Sequence, residues 1–225
     1  MSREHLRRYF HEVTQVADEL DLQVIDRMAE RLVRLRSEGG RLFVCGVGGS
    51  AANCSHAVND FRKLAGIEAY APTDNVAELT ARTNDEGWES VFAGWLRVSR
   101  ARPGDVLFIL SVGGGNRELG VSANLVAAID EAKARQMDVL GIVGRDGGYT
   151  RARGDIVLVI PIINSAHVTY HTEAFQAVVW HALVSDRRLA LHGTKWETLS
   201  ALPEGLAGDR LAPVRRENRD GGAND

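Results

Sequence analysis

Apolar residues recur at helical spacing from Leu22 to Leu35, and beyond Gly39-Gly40 short apolar runs alternate with further periodic stretches. Glycine at this point is typical of a helix end. Four apolar runs, each leading into a turn or a periodic stretch, predict strands at Arg41–Gly46, Asp105–Ser111, Asp138–Gly144 and Asp155–Pro161. Continuous apolar strands are buried on both faces, and helical crossovers return the chain to the sheet. The pattern therefore predicts a doubly wound, mainly parallel α/β fold.

Two segments do not follow this alternation of strands and helices. Residues 1–20 predict an N-terminal helix that must bury its apolar face on the domain or on a partner subunit. Residues 192–225 contain two prolines, five glycines and a charged end, which predicts an extended or mobile tail. No linker divides the stretch between them, so we expect a single domain over residues 21–191.

Composition narrows the class of protein. An apolar fraction of 44% and a charged fraction of 25% over 225 residues are typical of a globular chain. A net charge of -3 makes nucleic acid an unexpected partner, and no apolar run is long enough for a membrane span or a secretory signal. Cys45 and Cys54 match no zinc or redox spacing, so they are interpreted as buried thiols. We expect a cytoplasmic protein.

The first candidate for chemistry is the glycine turn Gly46-Val47-Gly48-Gly49-Ser50-Ala51, with Ser50 as the predicted N-cap of the next helix. Such a turn lets the backbone approach a ligand and presents helix N–H groups to an anion. A turn that binds nothing is the plain alternative. A dinucleotide site would need an acidic residue about 20 positions later, and neither Glu68 nor Asp74 follows a clear strand end.

The second candidate is Ser111-Val112-Gly113-Gly114-Gly115-Asn116, where a strand runs into its helix, with Ser122 at the start of the periodic part of that helix. Hydroxyl groups and glycine N–H groups at the carboxyl end of a strand suit a phosphate monoester. A flexible loop without a ligand remains the alternative.

Ionisable side chains on two helices form a third candidate. His56 and Asp60 are four residues apart, which puts both on one helix face where they could share a metal ion or a proton. Glu173 and His181 lie eight residues apart on the last helix, about 12 Å along it, so they reach one site only from opposite ends. Ordinary packing is the alternative for both pairs.

The segment Thr83-Asn84-Asp85-Glu86-Gly87 is predicted to be a turn or an N-cap before a helix that begins near Trp88. Its short amide and carboxylate side chains also suit the hydroxyl groups of a sugar. The sequence leaves both interpretations open.

Several of these motifs together resemble the phosphoheptose isomerases of the sugar isomerase (SIS) domain superfamily. The resemblance rests on CGVGGSAANCSHAVND, LTARTNDEGW, RPGDVLFILS, SANLVAAIDEAKARQM, VLGIVGRDGG and the histidine-bearing last helix. It implies a five-stranded sheet flanked by helices and the conversion of sedoheptulose 7-phosphate into D-glycero-D-manno-heptose 7-phosphate. It also implies one zinc ion per subunit and a homotetramer whose active sites lie between subunits.

Carried over to this sequence, the resemblance implies roles for particular residues. The implied substrate contacts are Gly48, Gly49, Ser50, Asn84, Asp85, Ser111, Val112, Gly113, Ser122 and Glu173. The implied metal ligands are His56, Asp60, Glu173 and His181. In the enediol reaction, Asp60 is expected to remove the proton and His181 to assist ring opening and proton return.

The chain also departs from the family pattern. Val47 replaces an Asn, Asp60 a Glu and Glu173 a Gln, and the serine loop is about six residues longer than the family's Ser-Thr-Ser-Gly-Asn-Ser. In so altered a loop we expect backbone N–H groups and Arg117 to bind the phosphate. The departures also allow a second hypothesis, a non-catalytic SIS protein that binds a phosphosugar or docks a partner protein.

Overall fold

Strands and helices alternate along the computed structural model, which describes residues 3–194. In chain order the elements are α1 (Arg3–Asp18), α2 (Leu22–Ser37), β1 (Leu42–Gly46), α3 (Gly49–Lys63), β2 (Ala69–Tyr70), α4 (Val76–Glu86), α5 (Val91–Val98), β3 (Val106–Ser111), α6 (Ala123–Ala134), β4 (Asp138–Val143), α7 (Gly148–Arg153), β5 (Ile156–Val159) and α8 (Val168–Ser185). Within residues 3–194, no helix combines the length and the apolar character needed to cross a membrane.

The five strands form one sheet in the order β2-β1-β3-β4-β5, and all four strand pairs are parallel. This confirms the predicted doubly wound sheet and the four strands read from the apolar pattern. β2 went undetected because its two residues, Ala69 and Tyr70, are too few to show a period.

Both faces of the sheet are buried, as continuous apolar strands require. Phe43 and Leu107 pack on the face covered by α5 and α6, while Val44 and Phe108 pack on the face covered by α2, α3 and α8. All four side chains are at most 1% exposed. α3 and α8 pack against each other on this second face.

The N-terminal helix packs on the domain of its own chain. Val16 of α1 is fully buried in the core that α2, α3 and α8 share, and Glu12 is 4% exposed. Of the predicted tail at 192–225, only the first three residues fall within the described part of the chain.

The region around residue 80 differs from the prediction. Thr83, Asn84 and Asp85 belong to α4 rather than to a turn, and only Gly87, with φ of 87°, ends the helix. α4 contains no buried residue, so it has no apolar stripe from which the sequence could predict it. Its stability comes instead from local contacts, among them the ion pairs of Arg82 with residues four positions before and after it.

The two cysteines are free and buried, as interpreted from the sequence. Burial raises the pKa of the Cys54 thiol, because the apolar surroundings disfavour the thiolate. Cys45 lies in β1 and Cys54 in α3, so both thiols belong to the core rather than to a reactive site.

Candidate active site

Two glycine-rich turns leave the sheet side by side. Gly46 pairs with Leu110 in the β1–β3 register, and Ser111 pairs with Val143 in the β3–β4 register. The turn after β1 and the loop after β3 therefore start at the same edge. The chain leaves β1 toward β2 on one side, while β3 lies on the other, and open α/β sheets bind ligands in the crevice at such a switch point.

The first turn presents backbone N–H groups through Gly48, whose φ of 65° favours glycine. The first hydrogen bond of α3 runs from the Ala51 N–H to the Gly48 carbonyl at 3.0 Å, which leaves the N–H groups of Gly49 and Ser50 ahead of it. The prediction of Ser50 as N-cap is wrong, because Gly48 occupies that position. The Ser50 hydroxyl is buried and accepts a hydrogen bond from Gln176 at 3.1 Å, so only its backbone N–H could face a ligand.

In the loop after β3, the carbonyl groups of Gly114 and Gly115 accept hydrogen bonds from α7. Gly114 donates its N–H to the Ser111 hydroxyl at 3.0 Å, and its carbonyl accepts from the backbone N–H and the hydroxyl of Thr150 at 2.9 and 2.8 Å. Within residues 3–194, the N–H groups of Gly113 and Gly115 have no acceptor. The loop thus keeps donors for an anion, as the sequence predicts for a phosphate site.

A cleft of about 440 Å³ opens beside this loop, a size that suits a small phosphorylated ligand. Val112 and Arg145 line it, together with Thr169 in the first turn of α8. Val112, which the resemblance implies as a substrate contact, thus lines a cleft, and its role in binding stays a prediction.

The longer part of the loop forms a small hairpin, in which Asn116 and Val121 exchange two backbone hydrogen bonds. Arg117 does not face the glycine N–H groups: its guanidinium lies over the Tyr149 ring at 4.8 Å and pairs with the Asp130 carboxylate. The expectation that Arg117 binds phosphate does not agree with this geometry. Ser122 precedes α6 in a left-handed conformation, and its side chain does not cap the helix.

A second group of side chains lies further along α3, where it packs against α8. The Asp60 Oδ2 atom is 3.4 Å from His56 Nε2 and 3.2 Å from His181 Nε2. The indole Nε1–H of Trp180 donates to the same oxygen at 3.2 Å, and Asn59 donates to Oδ1 at 3.0 Å. Asp60 is 7% exposed, whereas both histidines are exposed. Trp180 and Asn59 thus fix the orientation of a buried carboxylate, and the two exposed imidazoles lie beside its Oδ2 atom.

Glu173, the fourth predicted metal ligand, lies elsewhere in the single chain. Its carboxylate packs against the N-terminus of α3, where a Cβ built on Gly49 would come within 2.5 Å of Glu173 Oε2. This position suits a negative charge, because the N-terminus of a helix is positive. His181 lies eight residues later, about 12 Å along α8. The structure thus brings three of the four predicted ligands together and leaves Glu173 beside the first glycine turn.

Asn84 and Asp85 are exposed in the last turn of α4, and the Asn84 amide donates to the Asp85 carboxylate at 2.7 Å. Across the described residues, no hydrogen bond or ion pair joins them to the glycine turns or to Asp60. Their role in substrate binding stays a prediction.

Sequence reasoning missed the polar groups that connect α3 to α8. Asn53 donates to Gln176 at 2.8 Å and to the Glu173 carbonyl at 2.9 Å, while Trp180 orients Asp60. The available signal is the presence of Gln176 and Asn53 in stretches that are otherwise small or apolar, since buried polar side chains need partners.

The dinucleotide alternative finds no support in the acidic residues it requires. Glu68 precedes β2 instead of following it, and its carboxylate accepts from the Tyr70 hydroxyl at 2.9 Å. Asp74 lies in the 3-10 turn Pro72–Asp74 and accepts a hydrogen bond from Ser55. Neither carboxylate lies at the tip of β2, where a ribose would need it.

Comparisons with known proteins agree with this architecture. The chain matches the SIS domain family over residues 8–144. It is 35% identical over 155 residues to a phosphoheptose isomerase of Roseiflexus sp., an alignment that covers 67% of this chain and 75% of that protein. A phosphoheptose isomerase of Thiobacillus denitrificans is 32% identical over 152 residues, which cover 64% of this chain and 74% of the relative.

Solved structures show the same similarity. A phosphoheptose isomerase of Neisseria gonorrhoeae superposes with a TM-score of 0.70 at 29% identity, covering 81% of this chain and 96% of the other. The corresponding structure from Francisella tularensis gives a TM-score of 0.71 at 25% identity, covering 82% of this chain and 97% of the other.

Proposed function

We propose, since this chain belongs to the SIS domain family and within it to the phosphoheptose isomerases, that it converts sedoheptulose 7-phosphate into D-glycero-D-manno-heptose 7-phosphate. The chain is a sugar-phosphate isomerase, as its relatives are named. The choice of a seven-carbon substrate is our proposal, and it draws on the names that these relatives carry.

The observation that carries the proposal is the convergence of Asp60, His56 and His181 on the α3–α8 surface. Aldose–ketose isomerisation needs a base that removes a proton from C1 of the ketose and an acid that returns one at C2. We assign the base to Asp60, because hydrogen bonds from Trp180 and Asn59 orient its two oxygens. The exposed histidines beside it mark the side from which a substrate can reach the carboxylate. We assign the acid to His181: its Nε2 lies 3.2 Å from Asp60 Oδ2, on the side proposed below for a metal ion, so the proton it returns would be held on Nδ1.

The same three side chains suit a zinc ion. Their ligand atoms, two imidazole nitrogens and one carboxylate oxygen, all lie within 4.8 Å of one another, and this donor set is the one that zinc prefers. When bound, the ion would supply positive charge that polarises the oxygens of the sugar. We propose His56, Asp60 and His181 as its ligands, with Glu173 as the fourth from a neighbouring subunit.

A site shared between subunits is our proposal for how the phosphate reaches Asp60. Within one chain, Asp60 lies 11 residues after Gly49 on α3, about 16 Å by the helical rise. The free N–H groups of the first glycine turn are thus about three helical turns away from the base. We therefore propose a homotetramer in which the glycine turns of one subunit meet the histidines of another, and sedimentation velocity would measure its size.

The deciding experiment is incubation of the protein with sedoheptulose 7-phosphate in D₂O, followed by NMR. We expect an aldoheptose phosphate with deuterium at C2, because the proton exchanges while the base holds it. Asp60→Asn should lower kcat by at least about a hundredfold, the usual contribution of a general base. Asp18→Asn, an exposed substitution on α1, is the matched control and should leave kcat unchanged.

Two other outcomes would contradict the proposal. Saturable binding of the sugar phosphate without product would favour a non-catalytic phosphosugar-binding regulator. Turnover of a five- or six-carbon ketose phosphate, but not of the seven-carbon sugar, would keep the isomerase and reject the substrate.

A further inference from the structure

A second cluster of ionisable side chains lies at the other end of α8, away from Asp60. Glu12 projects from α1 toward two histidines one helical turn apart, His167 at the N-cap of α8 and His171 in its first turn. Glu12 Oε2 is 2.6 Å from His167 Nδ1 and 2.9 Å from His171 Nε2. Because His171 precedes His181 by ten residues, about 15 Å along the helix, the two clusters cannot share one ion.

The cluster is built as an enclosed site. Glu12 is 4% exposed and His171 2% exposed. Tyr9 stacks on the His171 ring with the ring centroids 4.8 Å apart, and the Asn164 amide donates to Glu12 Oε1 at 2.7 Å. These contacts hold the His171 ring and the Glu12 carboxylate in place, as the supporting residues of a metal site do.

The ligand atom of His171 is the nitrogen that faces Glu12. Nε2 lies 2.9 Å from Glu12 Oε2, whereas the buried Nδ1 has no hydrogen-bond partner within residues 3–194 and is a place for an ordered water.

The chemistry of the donors selects the ion. Two imidazole nitrogens and one carboxylate oxygen suit zinc, whereas calcium and magnesium prefer oxygen ligands alone. Ligand atoms around a tetrahedral zinc ion lie about 3.3 Å apart, so the groups need to separate by less than about 1 Å from their present hydrogen bonds. The partly exposed His167 provides the route of entry.

We propose that Glu12, His167 and His171 form a second zinc site, distinct from the Asp60 cluster, which joins the N-terminal helix to the start of α8. The site keeps a fourth position for water. It holds α1 against the helix that carries Glu173 and His181, and it does not depend on the isomerase reaction proposed above.

The test uses the full chain with His56→Ala and His181→Ala, which removes the imidazole ligands of the other cluster. After treatment with a chelator, we expect this double variant to bind one zinc ion per chain and to give visible absorption bands with cobalt. Zinc at about a hundred times its Kd should raise Tm by about 5–10 °C. Adding His167→Gln should weaken zinc binding at least a hundredfold and remove the cobalt bands.

His11→Gln on the same background is the matched control, because His11 precedes Glu12 on α1 and is exposed. We expect its zinc affinity to equal that of the double variant. The proposal is overturned if the double variant binds no zinc, or if His167→Gln binds zinc as tightly as the control. Should His167→Gln fail to fold by circular dichroism, Glu12→Gln decides the question by the same two measurements.

Discussion

Replacing Gly114 with Ala would test whether the glycine-rich loop after β3 depends on its close contact with the turn at Gly147. A Cβ built on Gly114 would lie 2.0 Å from the Gly147 carbonyl oxygen and 2.6 Å from its carbon. Both atoms belong to the backbone, so no flexible side chain can move aside. Gly114 also has a φ of 68°, a conformation that alanine rarely adopts.

The expected loss in the free energy of unfolding has two parts. A left-handed alanine costs about 1–2 kcal/mol. Forcing the two turns apart costs a further 1–3 kcal/mol, roughly the penalty for inserting a methyl group into a well-packed region. The sum for Gly114→Ala is about 2–5 kcal/mol, and the displaced loop should also raise the KM for the sugar phosphate.

Gly120→Ala separates the cost of the left-handed conformation from the cost of the close contact. Gly120 lies in the same loop with a φ of 64°, but a Cβ built there meets nothing within 4 Å. Urea unfolding of both variants should therefore give a difference of about 1–3 kcal/mol, with little change in KM for Gly120→Ala. Equal stabilities, or an unchanged KM for Gly114→Ala, would refute the reasoning that the contact between the turns shapes the loop.

Three further outcomes are expected. Trp180→Phe removes the indole donor from Asp60 and should lower kcat about ten- to a hundredfold; the control Trp95→Phe, on the other face of the sheet, should not. Arg188 lowers the pKa of Asp186 to about 2, so the stabilisation lost in Asp186→Asn should be full above pH 3.8 and should vanish as the pH falls toward 2 in urea titrations. Chelator treatment should abolish isomerase activity and zinc should restore it, whereas full activity without metal would contradict the proposed zinc ligands.

The sheet was predictable because its strands are buried on both faces. Apolar runs such as the one from Val106 to Ser111 bury every residue, and burial of this kind leaves a direct record in the sequence. α4 leaves no such record: it buries no residue, and ion pairs around Arg82 support it. The predicted turn at Asn84 and Asp85 was wrong for this reason.

Spacing within one helix predicted His56 and Asp60 as neighbours, because positions i and i+4 share a helix face. The same argument could not predict that Trp180 and His181 come to the same carboxylate, since contacts between helices depend on packing. Ser50 illustrates the limit: its position suggested a cap, whereas its hydroxyl bonds to Gln176 across the helix interface.

The order of the four long strands, the two glycine-rich turns and the pairing of His56 with Asp60 could be predicted from the sequence. These features depend on periodicity and on backbone geometry, which act over a few residues. Only the packed fold shows that α3 and α8 lie side by side, that Glu173 lies beside Gly49 and not with His181, and that Glu12 contacts His167 and His171. Contacts between residues more than a hundred positions apart depend on how whole helices pack on the sheet, and no local pattern encodes that geometry.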